Sequence, residues 1–373
     1  MANTLKFGNG EWYGKEGTIL AYNDLNSNYK PLPFNFSRAS SATVINKDGL
    51  IETVGSGQPR IDYKDDSKGA LLLEPTRSNL ITYSEDFSQW FKLGGATLTS
   101  NYSVSPDGTQ NSSRMQMNVS DKFYINVALN GDISFAVYLK GVGQIRLRDN
   151  TSTGLKDVTL TSEWVRYELN FNATISNFQI EQQTGVSDFE IFGAQLEQGS
   201  YATSYIPTQG SAVTRLRDLS DTQNLSHVIG QTEGVIFYDA ILVHKSTDAS
   251  EDLFELSIDD GSNQNIFFIN NYNNTLTVAM VNGGSYQFSN NSFNPTEGAR
   301  YKLAFAYKQN DFALYINGNQ IATDSSGTVT TMNQITFGNY YNNQINLSNS
   351  VKVNNLKLYN TRLSNSELQA LTS

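Results

Sequence analysis

Residues 301–322 read YKLAFAYKQNDFALYINGNQIA, and this stretch decides the fold class. Its first seven residues place a large apolar side chain at every second position, which is the period of a β-strand with one buried face. Residues 309–311 break the pattern, and a second apolar run follows at residues 312–316. Asn317-Gly318 is the dipeptide that best tolerates the positive φ angles of a type I′ turn, and residues 320–322 continue as the next strand. The stretch therefore predicts consecutive antiparallel hairpins.

The composition of the chain extends this prediction to the whole molecule. With 373 residues the chain is too long for one typical domain, and two or three domains are expected. It contains 20 Phe and 20 Tyr, and only 17% of its residues are charged. Abundant aromatic residues and turn formers are typical of β-sandwiches with ample cores. We expect an all-β protein.

Charge and cysteine content exclude several classes of function. The formal net charge is -10 and the sequence pI is near 4.8, which opposes nucleic-acid binding because that binding relies on Lys and Arg at phosphates. The chain has no cysteine, so disulfides, thiolate metal sites and a cysteine nucleophile are excluded. It has no apolar run of roughly 18 to 20 residues and no secretory signal at its N-terminus. We therefore expect no membrane insertion, and synthesis and folding in a cytoplasm.

The pattern along the chain predicts an extended N-terminal leader followed by two antiparallel β-sandwich, or jelly-roll, domains. Residues 1–80 have many turn signals and too little apolar sequence for a core of their own, although a hairpin is predicted around Asp48-Gly49. Residues 81–215 carry strand candidates at the spacing of a sandwich. Residues 216–232 are polar and predict a linker or a short helix, and residues 233–373 form the second sandwich.

Three parts of the sequence resemble known families. Residues 351–368, VKVNNLKLYNTRLSNSEL, resemble the last strand and closing helix of a laminin-G-like, or concanavalin-like, jelly roll. The leader resembles that of bacteriophage fibre and appendage proteins, through the strings FNFSRASSAT (34–43), GLIE (49–52), PRIDY (59–63) and LLLEPTRSNL (71–80). The middle part resembles the carbohydrate-binding-module-like sandwich of such proteins, through SEDF (84–87), Trp90, Trp164, GAQLEQGS (193–200) and TSYIPT (203–208).

These resemblances imply a bacteriophage virion protein. The implied protein is a head or tail fibre or a decoration protein at the virion surface, made in the host cytoplasm. Its N-terminal region would bind other virion proteins, its sandwiches would face outward, and it would be a homotrimer. Threefold association is physically reasonable, because a thin leader and uncovered sheet edges gain burial by association.

Catalysis is the hypothesis that the sequence opposes most directly. Concanavalin-like glucanases carry a Glu-x-Asp-x-Glu strand, but in residues 251–260, EDLFELSIDD, Leu253 occupies the central acidic place. In an extended strand the outer carboxylates, such as those of Glu255 and Asp259, would lie about 13 Å apart. Glycosidases need a separation of roughly 5 to 10 Å. We therefore predict a solvated or rim face for these acids and no catalytic residue.

Sugar binding needs aromatic faces for the apolar side of a pyranose ring and amides or carboxylates for its hydroxyls. The C-terminal part supplies this mixture in predicted loops and strand ends, at Tyr272, Asn274, Tyr286, Asn339, Tyr340 and Tyr341. The same tyrosines could equally pack on sheet edges or on another subunit. The jelly-roll resemblance also implies calcium at loops, with candidates Asp239, Asp259 and Asp260, and no other cofactor is expected.

Three hypotheses follow from the sequence. The leading one is a noncatalytic virion fibre or decoration protein that adheres to host-surface glycans. The second is a purely structural appendage that binds no glycan. The third is a polysaccharide-degrading depolymerase with an unrecognised pair of carboxylates.

Overall fold

The computed structural model describes the backbone of residues 4–7, 12–15, 18–23, 28–31, 35–226, 229–244, 252–262, 264–272, 275–337, 339–341, 344–346 and 350–373. Side chains are described for residues 35–226, 229–244, 255–262, 264–271, 275–337 and 350–373. Within these ranges the chain is almost entirely antiparallel β structure, as the composition predicts.

The strands of the first half of the chain are β1 (Thr4–Phe7), β2 (Trp12–Lys15), β3 (Thr18–Asn23), β4 (Asn28–Pro31), β5 (Asn35–Ser37), β6 (Ala42–Ile45), β7 (Ile51–Val54), β8 (Arg60–Asp62), β9 (Ala70–Leu73), β10 (Arg77–Asn79), β11 (Phe91–Leu93), β12 (Thr97–Thr99), β13 (Ser113–Met117), β14 (Lys122–Val142), β15 (Gln144–Asp149), β16 (Leu155–Thr159), β17 (Val165–Glu181) and β18 (Ser187–Gln198). A 3₁₀ helix, Phe87–Gln89, lies between β10 and β11.

The strands of the second half are β19 (Val213–Arg215), β20 (Leu219–Thr222), β21 (Glu233–Leu242), β22 (Asp252–Asp259), β23 (Ile266–Tyr272), β24 (Thr275–Asn282), β25 (Ser285–Phe293), β26 (Arg300–Lys308), β27 (Phe312–Ile316), β28 (Asn319–Asp324), β29 (Gln334–Phe337), β30 (Asn339–Tyr341), β31 (Gln344–Asn346) and β32 (Val351–Tyr359). The helix α1, Asn365–Thr372, follows the last strand.

The chain divides into two compact units. Unit 1 contains Met1–Ala39, Ser56–Pro75 and Arg217–Ser373, and unit 2 contains Ser40–Gly55 and Thr76–Leu216. Both units are therefore built from segments that are distant in sequence. The residues of the predicted leader are shared between them.

Unit 1 is a β-sandwich of two large sheets. One sheet has the order β28-β27-β26-β21-β32-β9-β8, with β1 also paired to β32, and the other has the order β25-β24-β23-β22-β29-β20-β5. Aromatic side chains from both sheets meet in the core, where the rings of Phe267 and Phe305 stack at 5.0 Å and those of Phe288 and Phe305 lie 5.0 Å apart. Alternating residues of β21, β24, β26 and β27 supply this core, as period-two patterning requires.

Residues outside the predicted C-terminal domain complete both sheets of unit 1. Strand β9 pairs with β32, and β5 pairs with β20. Residues 216–232, which the sequence predicts to be a linker or a short helix, contain β20, which lies between β29 and β5. A polar sequence forms a strand here because the pairing supplies its backbone hydrogen bonds, and long-range pairing overrides local propensity.

The short-range turn predictions are confirmed. Asn317 and Gly318 adopt φ angles of 49° and 77° between β27 and β28, as a type I′ turn requires. The hairpin predicted around Asp48-Gly49 is formed by β6 and β7, and Gly49 has a φ of 78°. Both turns are specified by residues that are adjacent in sequence.

Helix α1 begins with a complete capping box. The backbone N–H of Glu367 donates to Ser364 Oγ at 3.3 Å, and the backbone N–H of Ser364 donates to Glu367 Oε2 at 2.7 Å. The helix buries Leu368 against apolar residues of β21, β26 and β27. The capped first turn therefore holds the residue that packs the helix on the sheet.

Ser364→Ala is expected to lower the free energy of unfolding of unit 1 by about 1 kcal/mol, because the first turn loses a hydrogen-bond acceptor. Urea denaturation of the full chain measures this change. Gln369→Ala is the matched control, since Gln369 is an exposed residue of the same helix and lies outside the capping box. Equal effects of Ser364→Ala and Gln369→Ala would contradict a capping role for Ser364.

Unit 2 is a sandwich built around unusually long strands. Its principal sheet has the order β12-β13-β18-β14-β17-β15-β16, and β11 also pairs with β14. β14 and β17 pair along almost their whole length, with a register shift between Asn126 and Leu129. The rings of Phe135 and Phe178 stack at 3.8 Å in the core, and Trp90 is buried in the same cluster.

A cluster of four charged residues is fully enclosed in unit 1, and we call it the buried ion cluster: Arg38, Arg60, Glu74 and Asp218. Asp218 accepts hydrogen bonds from Arg38 at 2.9 Å, from Arg60, and from the backbone N–H of Glu74 at 2.9 Å. Arg60 also donates to Glu74 Oε2 at 2.7 Å. Three of the four residues lie in the leader strings, so these strings have a structural role within unit 1.

The strings of the middle part also form buried polar contacts, within unit 2. Asn79 Nδ2 donates to the carbonyls of Ala194 and Ile206 at 3.1 and 2.8 Å. Gln195 Oε1 accepts from the backbone N–H of Ile206 at 2.6 Å, and Glu197 Oε2 accepts from that of Thr203 at 2.7 Å. These bonds fasten residues 203–208 to β18.

Candidate functional site

The structure does not bring all the predicted glycan-binding residues together. Tyr286 is 66% exposed and lies at the start of β25, with Val281 as its backbone partner. Tyr272 ends β23, and its backbone partner is Thr275. Val281 and Thr275 lie near opposite ends of β24, so Tyr272 and Tyr286 are at opposite ends of that strand.

The other predicted glycan-binding residues are described less fully. Asn339, Tyr340 and Tyr341 form β30, which pairs with β31 in a two-stranded ribbon. Their side chains and that of Tyr272 lie outside the described set, and Asn274 lies outside the described residues. The involvement of these residues in sugar binding stays a prediction.

The calcium candidates have protein partners. Arg300 donates to both carboxylate oxygens of Asp239, at 2.6 and 2.8 Å. Asp259 is buried and accepts from the backbone N–H of Gly261 at 2.7 Å, while Asp260 accepts from the Ser262 backbone N–H at 3.0 Å. In the part of the chain that the structure describes, no three His, Cys, Asp or Glu side chains are grouped to hold a metal ion.

The prediction of a solvated or rim face for Glu255 and Asp259 is wrong. A bulge between Phe254 and Leu256 shifts the register of β22, so Glu255 does not follow strict alternation. The Glu255 side chain is fully buried, and its Oε2 accepts a hydrogen bond from the hydroxyl of Tyr301. Burial raises the pKa of Glu255 to about 7. Asp259 is also buried, and burial raises its pKa to about 6.

A polar pocket of about 430 Å³ lies in unit 2, within the size range of small-ligand sites. We call it the unit 2 pocket. Its lining consists of carboxylate, amide and hydroxyl side chains and one proline: Glu85, Asp86, Ser100, Asn101, Asn111, Ser113, Pro207, Thr208 and Gln209.

Two chain segments form one side of the unit 2 pocket, and hydrogen bonds hold them together. Tyr83 and Gln209 form an isolated β-bridge. The backbone N–H of Ser84 donates to Thr208 Oγ1 at 3.0 Å, and the backbone N–H of Thr208 donates to Ser84 Oγ at 2.8 Å. Because these bonds hold Ser84, which directly precedes Glu85, they also fix the position of the Glu85 backbone.

Asp86 and Glu85 have different local roles. Asp86 Oδ1 accepts from the backbone N–H of Ser88 at 3.1 Å and caps the 3₁₀ helix. Glu85 Oε1 accepts from the hydroxyl of Tyr205 at 2.9 Å. Burial raises the pKa of Glu85, the hydrogen bond from Tyr205 opposes this rise, and the nearby charge of Asp107 adds to it. Tyr205 is buried, so it orients the Glu85 carboxylate.

A hairpin-like loop between β12 and β13 supplies the other side of the pocket. Val104 and Gln110 form a β-bridge, and the backbone N–H of Tyr102 donates to the carbonyl of Ser112 at 2.7 Å. Asn111 Nδ2 donates to Asp107 Oδ2 at 2.9 Å and reaches Glu85 Oε2 at 3.5 Å. The Oδ1 atom of Asn111 is buried without a hydrogen-bond partner. Asn111 thus links the two sides of the pocket.

This arrangement can bind a polyhydroxylated ligand by hydrogen bonds. Carboxylates accept from hydroxyl groups, amides donate and accept, and hydroxyls do both. None of the nine lining residues is aromatic, so the pocket offers polar contacts and no ring for stacking.

Sequence reasoning missed this pocket. Glu85 and Asp86 belong to a string that carried a resemblance, but no site was assigned to them. The lining residues come from positions near 85, 100–113 and 207–209, so their proximity depends on the pairing of strands. The available signal was a Ser- and Asn-rich stretch at residues 100–113, which is also ordinary loop composition.

Fold and pocket together define a β-sandwich protein of two units, one of which carries a polar pocket. Residues 235–366, which lie in unit 1, match the family model described as trans-sialidase, C-terminal domain. No curated protein matches the sequence of this chain. No helix of the described residues is long and apolar enough to cross a membrane.

Several solved structures are similar to this chain. The CBM40 of the Ruminococcus gnavus IT-sialidase, bound to alpha2,3 sialyllactose, is 18% identical, with 40% of this chain and 91% of that chain covered and a TM-score of 0.33. The leech intramolecular trans-sialidase is 18% identical, with 39% and 24% covered and a TM-score of 0.32. The receptor binding domain of botulinum neurotoxin C/D mosaic serotype is 13% identical, with 41% and 40% covered and a TM-score of 0.34.

Proposed function

We propose that this chain is a noncatalytic glycan-binding protein. The observation that carries this proposal is the unit 2 pocket, where side chains of Glu85, Asn111 and Gln209 converge from separate segments on a space of about 430 Å³. A pocket lined by hydrogen-bonding groups suits the hydroxyls of a sugar. A separate observation, the match of residues 235–366 of unit 1 to the trans-sialidase C-terminal domain, supports carbohydrate as the ligand class of the chain and does not bear on the unit 2 pocket.

The chain is proposed to bind glycans without cleaving them. In the described part of unit 1, Glu255 is enclosed in the core and Asp239 is paired with Arg300. Glu85 and Asp86 of unit 2 have structural partners in Tyr205 and Ser88. Release of reducing ends from polysaccharide by the purified chain would contradict this part of the proposal.

We propose further that the protein is a bacteriophage appendage on the virion surface, on head or tail. The support is the resemblance of residues 34–80 to the leader of such proteins. The N-terminal region, which includes the three-stranded sheet β2-β3-β4, would bind other virion proteins, and the protein would be a homotrimer. Immunogold labelling of intact particles tests the location, and light scattering of the purified chain tests the oligomeric state.

Two single substitutions test glycan binding at the pocket. Gln209→Ala and Asn111→Ala each remove polar atoms from the lining, and each is expected to weaken binding of an array-identified glycan about 2- to 10-fold, the value of one neutral hydrogen bond. Isothermal titration calorimetry on the full chain measures the affinity. Gln209 is exposed, so its loss leaves the fold intact.

Glu163→Gln is the control for this test, because Glu163 is an exposed residue of unit 2 outside the pocket lining. Unchanged affinity in both pocket variants would place glycan binding elsewhere in the chain. Absence of any bound glycan on the array would favour the purely structural appendage.

A further inference from the structure

Every charged residue that lines the unit 2 pocket is acidic. Glu85 and Asp86 are its two carboxylates, and none of its nine lining residues, all of them described, is Lys, Arg or His. Asp107 adds a third carboxylate behind the lining, because it accepts from Asn111 Nδ2 at 2.9 Å. A ligand in this space therefore meets carboxylate oxygens and neutral polar groups.

Cations close to the pocket wall are held by other acids. Arg114 follows the lining residue Ser113, and its guanidinium forms a two-point contact with Asp188, with Nε to Oδ1 at 2.7 Å. Lys140 pairs at 3.1 Å with Glu190, which also accepts from Ser112 at 2.8 Å. Their charge is consequently neutralised locally instead of being directed at a ligand.

We propose that the unit 2 pocket selects uncharged or positively charged sugars, including amino sugars, and rejects sialylated and other anionic glycans. This inference rests on the proposed glycan-binding function and specifies the ligand class of the same site. A sugar hydroxyl or ammonium group donates to the carboxylates, whereas an anionic sugar is repelled by them. This repulsion is stronger near a protein surface than in bulk water, because the effective dielectric constant is lower there.

The geometry of Glu85 supports this selectivity. Its Oε1 accepts from Tyr205, and its Oε2 has only the long 3.5 Å approach of Asn111 Nδ2. A carboxylate has about four lone-pair positions, so Glu85 keeps acceptor capacity for a donor group of the ligand. Glu85 is half-buried, so its charge is screened less than that of a fully exposed carboxylate.

The test uses the full chain on an array of neutral glycans, each printed beside its sialylated or uronic-acid-containing derivative, with chitotriose printed beside its deacetylated amino-sugar form. Neutral and amino-sugar glycans are expected to bind at least about tenfold more tightly than their anionic derivatives, which corresponds to about 1.4 kcal/mol. Calorimetry on the strongest pair, with soluble glycans, gives the ratio in solution.

The double variant Glu85→Gln/Asp86→Asn keeps the side-chain shapes and the acceptor that caps the 3₁₀ helix. It is expected to reduce the ratio between neutral and anionic glycans to near one, while Glu163→Gln retains the wild-type ratio. Binding of the anionic derivatives as tightly as their neutral parents would overturn the selectivity and leave glycan binding intact. Binding of no glycan of any charge would overturn the proposed function together with the inference.

Discussion

Asp218→Ala is expected to lower the free energy of unfolding of unit 1 by about 3 to 5 kcal/mol, the cost of breaking a buried ion pair. Asp218 accepts from Arg38 and Arg60, whose side chains are completely buried with it. Removing this carboxylate leaves both guanidinium groups enclosed without the acid that they share, and the cost of burying charge that has lost its partner is the reason for the large effect.

Hydrogen-exchange mass spectrometry of the full chain locates this change. Faster exchange is expected in β9 and β20, because Asp218 accepts from the backbone N–H of Glu74 and adjoins both strands. The matched control is Asp157→Ala, which removes the partner of Arg146 in an exposed pair of unit 2 and is expected to cost less than about 1 kcal/mol. Similar small effects of both substitutions would show that the buried ion cluster contributes little.

The buried ion cluster also illustrates why the sequence could not predict all of the fold. Alternation at residues 301–307 and the Asn317-Gly318 turn are local signals, and the structure confirms both. Arg38 and Asp218 are 180 positions apart, so no local pattern connects them. The leader strings show which residue types occur together, whereas the burial of Arg38, Arg60 and Glu74 depends on a partner that is distant in sequence.

The candidate site was predictable to a smaller extent. Aromatic residues predicted in loops or at strand ends are visible in the sequence, and one of them, Tyr286, lies exposed at the start of β25. The unit 2 pocket arises where residues 83–86 meet residues 207–209, which are joined by the Tyr83–Gln209 bridge and by hydrogen bonds between Ser84 and Thr208, more than 120 positions apart in sequence. Strand alternation predicts the wrong face for Glu255 for a related reason, since the bulge between Phe254 and Leu256 adds one residue and reverses the face at that point.

Glu255→Gln is expected to make the stability of unit 1 less dependent on pH and to stabilise it above pH 7. The pKa of Glu255 is raised from 4.5 to about 7 in the folded chain, so the folded state binds the proton more tightly than the unfolded state. Stability therefore falls as pH rises from the unfolded pKa through the folded one. At one pH unit per about 1.4 kcal/mol, the penalty above pH 7 is roughly 3 kcal/mol.

The glutamine cannot ionise and does not pay this penalty, so the difference in melting temperature between variant and wild type should grow from pH 5 to pH 8. Calorimetry should show a gain of roughly 6 to 12 °C at pH 8, since 1 kcal/mol shifts a unit of this size by about 2–4 °C. A smaller slope of the same sign should persist in the variant, because the pKa of Asp259 is also raised by burial, to about 6. Glu233→Gln, at a surface carboxylate paired with Lys308, is the control and should leave the wild-type slope unchanged. If the melting temperatures of the variant and the wild type run parallel across this range, the prediction is contradicted. That result would show that Glu255 is charged in the folded core without this penalty, which requires a group that solvates its Oε1 atom.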